Sequence, residues 1–82
     1  MLKLKVVSPE RVEFEGDVTS VTVPGSGGSF EILTDHAPII SSLDSGIVEY
    51  VTPTERKQLA IGGGFVEVQK NQVSLCVELN EE

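Results

Sequence analysis

Apolar and polar residues alternate with a period of two along most of this chain, and Gly, Pro, Asn and Asp interrupt the alternation at intervals. From Leu2 to Val6, Leu2, Leu4 and Val6 are interleaved with Lys3 and Lys5, the pattern of a strand with one wet face. Ser8-Pro9 ends it. Arg11 to Glu15 repeats the pattern, with Val12 and Phe14 on one face and Glu13 and Glu15 on the other; Gly16-Asp17 then offers a turn, and the two segments predict a hairpin. Val18 is out of phase with Val21 and Val23, so a bulge at Thr19-Ser20 is expected to bring all three to one side.

The middle of the chain is richer in turn chemistry. Between Val23 and Ile40, Gly25, Gly27 and Gly28 permit a sharp bend, while Pro24 and Pro38 have no amide to donate, so Phe30 to Leu33 reads as a short strand between two loops. Ile39 to Leu43 is an apolar run closed by Asp44-Ser45-Gly46. Ile47, Val48, Tyr50 and Val51 populate both faces of the next strand, as they would if it were covered on both sides or faced a partner. After the polar break Thr52-Pro53-Thr54-Glu55, Gln58 to Ile61 resumes as strand and runs into Gly62-Gly63-Gly64. Three glycines there mark a sandwich corner or the close passage of another backbone. Phe65 to Gln69, a tight turn at Lys70-Asn71, and the alternation Val73, Leu75, Val77, Leu79 complete the chain. No long window has the helical period of about 3.6, so the prediction is all-β: a flattened antiparallel β-sandwich of about eight to ten short strands, forming a single domain over residues 1–82.

Size and charge narrow the functions open to such a fold. A chain of 82 residues removes only about 60% of its unfolded surface from water, so a modest core and a partner are both expected. The net charge of −7 argues against nucleic acid and against a bare anionic membrane, both of which are bound through Lys and Arg. Cys76 is the single cysteine: it can form no intrachain disulfide, fits a reducing compartment and is expected to be buried and inert. MLKLKVV lacks the continuous apolar core of a signal peptide, and no stretch approaches the roughly 18 apolar residues of a membrane span.

Reactive chemistry is sparse. One His and one Cys are too few for a standard structural zinc site, and Asp35, adjacent to His36 on an extended chain, points away from it rather than behind it as in a Ser-His-acid relay. The G-S-G-G of Gly25 to Gly28 has neither the Lys-Ser/Thr ending of a P-loop nor a following helix. No catalytic residue, cofactor site or metal site is therefore expected, and His36 reads as a local hydrogen-bond partner of the backbone. Leu33, Tyr50 and Phe65, which break the inward alternation, are the candidates for exposed apolar surface; the alternative is that they cover a second face of the sandwich.

Together, VVSP at Val6 to Pro9, the G-x-V-x-x-V-x-V phasing from Gly16 to Val23, HAP at His36 to Pro38 and GGGFVEV from Gly62 to Val68 carry a resemblance that spans nearly the whole chain. The sequence resembles the N-terminal β-sandwich domain of the epsilon subunit of F-type ATP synthase. That resemblance implies a non-catalytic rotor subunit of the central stalk that binds the gamma subunit and the c-subunit ring without inserting into the membrane. It would lie peripherally at the cytoplasmic face of the bacterial inner membrane. It also implies that the positions matching Gly28, Ser29, Phe30 and Glu31 lie against the c ring and that His36 lies toward gamma. Phe65 is a further expected partner contact, from its break in the inward alternation and not from the resemblance. Two departures stand out. The family usually has Gly where this chain has Glu31, and a more apolar or Pro-containing step where it has Thr34-Asp35. Most bacterial members continue into a helical hairpin that inhibits rotation or binds ATP; neither role is carried to a sequence ending Leu79-Asn80-Glu81-Glu82. Two other classes are weighed against this reading. A ligand- or carbohydrate-binding sandwich would need aromatic platforms, and the chain has no Trp, one Tyr and three Phe. An enzyme would gather a closed pocket around a strongly perturbed His36.

Overall fold

The computed structural model describes residues 1–80; Glu81 and Glu82 lie outside the described residues. The described residues form eight strands: β1 Leu2–Val7, β2 Val12–Val18, β3 Ser20–Val23, β4 Phe30–Ile32, β5 Ile39–Leu43, β6 Gly46–Val51, β7 Arg56–Gln69 and β8 Gln72–Leu79. They pair in the order β2-β1-β8-β7-β6-β3-β4, with β5 also on β7. The 14-residue β7 is shared by two layers. Its first half pairs with β6 and its second half with β5, so one layer is β2-β1-β8-β7-β5 and the other β7-β6-β3-β4. The molecule measures 33 × 27 × 19 Å, and the thin dimension is that of two sheets packed face to face.

Period-two burial builds the core. Leu2, Leu4, Val6, Val66, Val68, Val73, Leu75 and Val77 face inward from one layer; Val21, Val23, Ile32, Val48, Tyr50 and Ile61 meet them from the other. Thr19 is the break between β2 and β3 at which the chain changes layer, and Val18 and Val21 on either side are both fully buried. The expected phase correction at Thr19-Ser20 therefore takes the form of a crossover.

The all-β sandwich expected from the pattern is what forms, with several differences in detail. Not every pair is antiparallel: β1 and β8 run parallel, Lys3 opposite Gln72 through Val7 opposite Cys76. The hairpin of β1 and β2 forms, but its turn is Ser8 to Arg11, closed by Ser8 N–H donating to the Arg11 carbonyl at 2.9 Å. Gly16 and Asp17 lie inside β2, opposite Leu4 and Lys3. Register slips between Val6 and Val7, so Val12 falls opposite Val7 and is exposed instead of sharing the inner face with Phe14. Gln58–Ile61 and Phe65–Gln69 belong to one strand, because the glycines between them carry it around the corner. At Gly64, φ is +146° and a Cβ would lie 2.1 Å from the Cys76 carbonyl oxygen, so only glycine lets β7 pass β8 there. Tyr50, a candidate for exposed surface, is only 7% exposed and packs against Phe14 with ring centroids 4.6 Å apart. Cys76 is partly exposed, since its position on β8 faces outward between buried Leu75 and Val77.

Candidate functional site

Two surfaces stand out. The first is on the outer face of the β2-β1-β8-β7-β5 layer, where the register lines up one residue from each strand: Ser42 opposite Phe65, Phe65 opposite Cys76, Cys76 opposite Val7 and Val7 opposite Val12. From Phe65 to Val12 the outcome is an apolar row across a face whose other residues, Ile40 apart, are mostly polar. Phe65 is 47% and Val12 48% exposed at its two ends, with Val7 and Cys76 half-buried between them. An open groove of about 380 Å³ runs along it beside Pro9 and Gly64. Ile40, 74% exposed, stands opposite Glu67 one step further along. Carboxylates rim the row: Glu67 and Glu78 are exposed on either side, on β7 and β8.

The second surface is the end of the molecule formed by the loop before β4, β4 itself and the loop to β5. Gly28 N–H donates to the Gly25 carbonyl at 2.9 Å, closing a turn over Ser26-Gly27, and a Cβ on Gly25 would meet Gly28 O at 2.7 Å and Phe30 at 2.8 Å. Phe30, half-buried against the core, lies 6.5 Å from the His36 ring, centroid to centroid. Glu31 is exposed opposite Thr22. His36 N–H donates to the Leu33 carbonyl at 3.1 Å, and its Nδ1 lies 2.7 Å from the Ala37 carbonyl oxygen, the local backbone contact expected of it. Asp35, with φ +67°, turns to Asn71 instead of the imidazole: Asp35 N–H donates to Asn71 Oδ1 at 2.6 Å and Asn71 Nδ2 donates to Asp35 Oδ1 at 3.1 Å. This geometry is not a nucleophile-base-acid relay, and among the described residues no group of three or more His, Cys, Asp or Glu could hold a metal ion.

The structure thus brings Gly28, Ser29, Phe30, Glu31 and His36 to one end and sets Phe65 on the outer sheet face. The two are joined through β5, because Ser42, opposite Phe65, donates its hydroxyl to Ser26 Oγ at 3.0 Å, and Ser26 N–H donates to the Ser42 carbonyl at 3.0 Å. Leu33 and Phe65 are exposed as expected. Ile40, Val12 and Ile47 were missed as exposed apolar residues. Ile40 could have been found, since Ile39-Ile40 places apolar side chains on both faces of one strand; Val12 could not, because its exposure depends on a register slip.

Over residues 1–82 the chain matches the family described as ATP synthase, Delta/Epsilon chain, beta-sandwich domain. The chain belongs to that family. Among curated relatives, this epsilon-type sandwich is 43% identical over 77 residues to an ATP synthase epsilon chain of Leptospira interrogans, covering 94% of this chain and 61% of the relative. It is 46% identical over 80 residues to the ATP synthase epsilon chain of Carboxydothermus hydrogenoformans, covering 98% and 60%. It therefore spans about three fifths of the length of these relatives. The same fold occurs in a chain of the Euglena gracilis mitochondrial ATP synthase OSCP/F1/c-ring assembly, with a TM-score of 0.87, 22% identity, and coverage of 93% of this chain and 49% of that one. It recurs in the central stalk/c-ring of Tetrahymena thermophila mitochondrial ATP synthase, with a TM-score of 0.83, 18% identity, and coverage of 94% and 63%. Among the described residues of the epsilon-type sandwich, no helix is long and apolar enough to cross a membrane.

Proposed function

We propose that this sandwich is the N-terminal domain of a non-catalytic central-stalk subunit of F-type ATP synthase, gripped between the gamma subunit and the c ring so that ion-driven rotation is coupled to ATP synthesis. The observation that carries the reading is the apolar row of Phe65, Cys76, Val7 and Val12 on the outer sheet face of an epsilon-family sandwich. An aromatic side chain held half-exposed on a paired strand is a ready anchor for a partner at little entropic cost. In this reading Phe65 and His36 contact gamma, while Gly28, Ser29, Phe30 and Glu31 meet polar loops of the ring. The domain lies peripherally at the cytoplasmic face of the bacterial inner membrane, held there by its partners.

Charge supports the same assignment. With a net charge of −7, encounter with basic segments is accelerated at low salt and slowed as salt is raised. Rotor function needs stiffness, and two sheets tied by one bent strand supply it from paired backbone groups alone.

Co-purification with a gamma subunit tests the reading. A 1:1 complex is expected, weakened about tenfold or more by Phe65→Ser and by His36→Ala, with no ATP turnover by the chain alone. Failure of the unaltered chain to bind gamma, or binding indifferent to both substitutions, overturns it.

A further inference from the structure

We propose that Asn71 is a positioning residue: its side chain, locked to Asp35, fixes the loop that carries His36 and thereby orders the partner-facing end of the sandwich. Asp35 and Asn71 are 36 positions apart, at the crossing from β4 to β5 and at the tip of the β7–β8 hairpin. Both have positive φ, +67° and +60°, a conformation that costs a non-glycine residue energy unless its surroundings hold it there. Here they hold each other. The Asp35 amide donates to Asn71 Oδ1 at 2.6 Å, and Asn71 Nδ2 returns a hydrogen bond to Asp35 Oδ1 at 3.1 Å. The Asn71 carbonyl accepts from Lys3 N–H at 2.9 Å, so the same residue is anchored to β1 on its other side.

Asn71 therefore grips the crossing loop from a rigid hairpin. The loop has little else to hold it: Leu33, Thr34, Asp35, Ala37 and Pro38 are exposed. Immediately beyond the clasp, the His36 ring lies 6.5 Å from Phe30. Freeing Asp35 releases the segment that sets this ring pair, and a partner must then order it on binding. The consequence for a partner rests on the gamma-binding reading above; the clasp itself does not.

Asn71→Gly is the decisive variant, because glycine keeps positive φ at the second position of a two-residue hairpin turn, where it is favoured, and removes both clasp bonds. Asp35→Asn keeps the acceptor oxygen, the amide and the tolerance for positive φ, and serves as the conservative control. Amide hydrogen exchange of the whole chain, read residue by residue by NMR, should show the Asp35 amide exchanging about tenfold or more faster in Asn71→Gly, with the His36 and Phe30 ring resonances displaced. Core amides such as Val66 and Leu75, and the melting temperature, should stay as in the unaltered chain, and Asp35→Asn should match it throughout. Equal Asp35 protection in Asn71→Gly overturns the proposal. Gamma affinity should fall several-fold in Asn71→Gly at unchanged melting temperature; an unchanged affinity despite a released loop overturns the positioning role. If the unaltered chain binds no gamma, the gamma reading fails, and exchange at Asp35 still decides the clasp.

Discussion

At Gly64 a single methyl group decides whether the corner of β7 can form. A Cβ there would lie 2.1 Å from the Cys76 carbonyl oxygen and 2.8 Å from Val77 Cα, and φ is +146°, whereas a Cβ on Gly62 meets nothing closer than 3.8 Å. Gly64→Ala is expected to cost about 3 kcal/mol or more in urea unfolding, while Gly62→Ala stays within about 0.5 kcal/mol of the parent. The one tyrosine offers a second residue-scale test. Burial raises the pKa of the Tyr50 phenol, with further contributions from the negative charges of Glu55 and Glu13. The native state thus favours the neutral ring; this contribution to stability is complete below the unfolded value of about 10 and is lost as pH rises past it. Tyrosinate absorbance should titrate above about pH 10 in the native chain and return to about 10 in denaturant.

Elements hold or fail here on their turns and edges. Ser8 Oγ accepts from the amides of Glu10 at 3.4 Å and Arg11 at 3.3 Å, and lies 3.0 Å from Glu13 Oε2, which also accepts from Arg11 Nε at 3.0 Å. Those bonds, Arg11 first and Ser8 second, hold the Glu13 carboxyl below the usual range; Gln58 and then Arg56 do the same for Glu49 in the β6–β7 pair. Both pKa values are depressed, so their contribution is complete above the unfolded carboxylate value of about 4.3 and disappears as pH falls through the lower native values. Thermal melts followed between about pH 6 and pH 2 should show stability falling over the acid half of that range, and falling less steeply in Glu13→Gln/Glu49→Gln. Ser8→Ala should lower stability by about 1 kcal/mol at neutral pH. Strands with one wet face were legible in the sequence because burial imposes a period of two: β1, β8 and the second half of β7 follow it residue by residue. Gly16-Asp17 was misread because turn composition is only a local cue, and here the glycine leaves room for the Phe14 ring, 3.3 Å from where its Cβ would be. For Tyr50 the alternative holds, and it covers an inner face of the sandwich; with apolar residues on both faces of β6, nothing local says which face a second layer will cover. The parallel pairing of β1 with β8 and the Asp35–Asn71 clasp join residues far apart in the chain, and no window of sequence contains them. Of the candidate site, the loop end was visible as Gly, Pro and His chemistry, while the apolar row exists only once four strands are in register.

At the scale of the whole molecule, one strand belongs to both layers. With β7 contributing Ile61 to one side of the core and Val66 and Val68 to the other, neither layer can keep its buried face if the other opens. Unfolding should therefore be a single transition, with equal calorimetric and van't Hoff enthalpies and coincident curves for secondary structure and for Tyr50 fluorescence; Leu75→Ala should shift both curves together by about 2–5 kcal/mol. The placement of β1 between β2 and β8 carries a further implication for biosynthesis. The β1–β2 hairpin is made before β8, so one flank of β1 stays vacant until β8 has left the ribosome, and the nascent polypeptide waits with an unsatisfied ladder. Its acidic, bulged outer strand shields only the opposite edge, which makes that interval the moment at which chaperone capture or mispairing with a neighbouring chain would act.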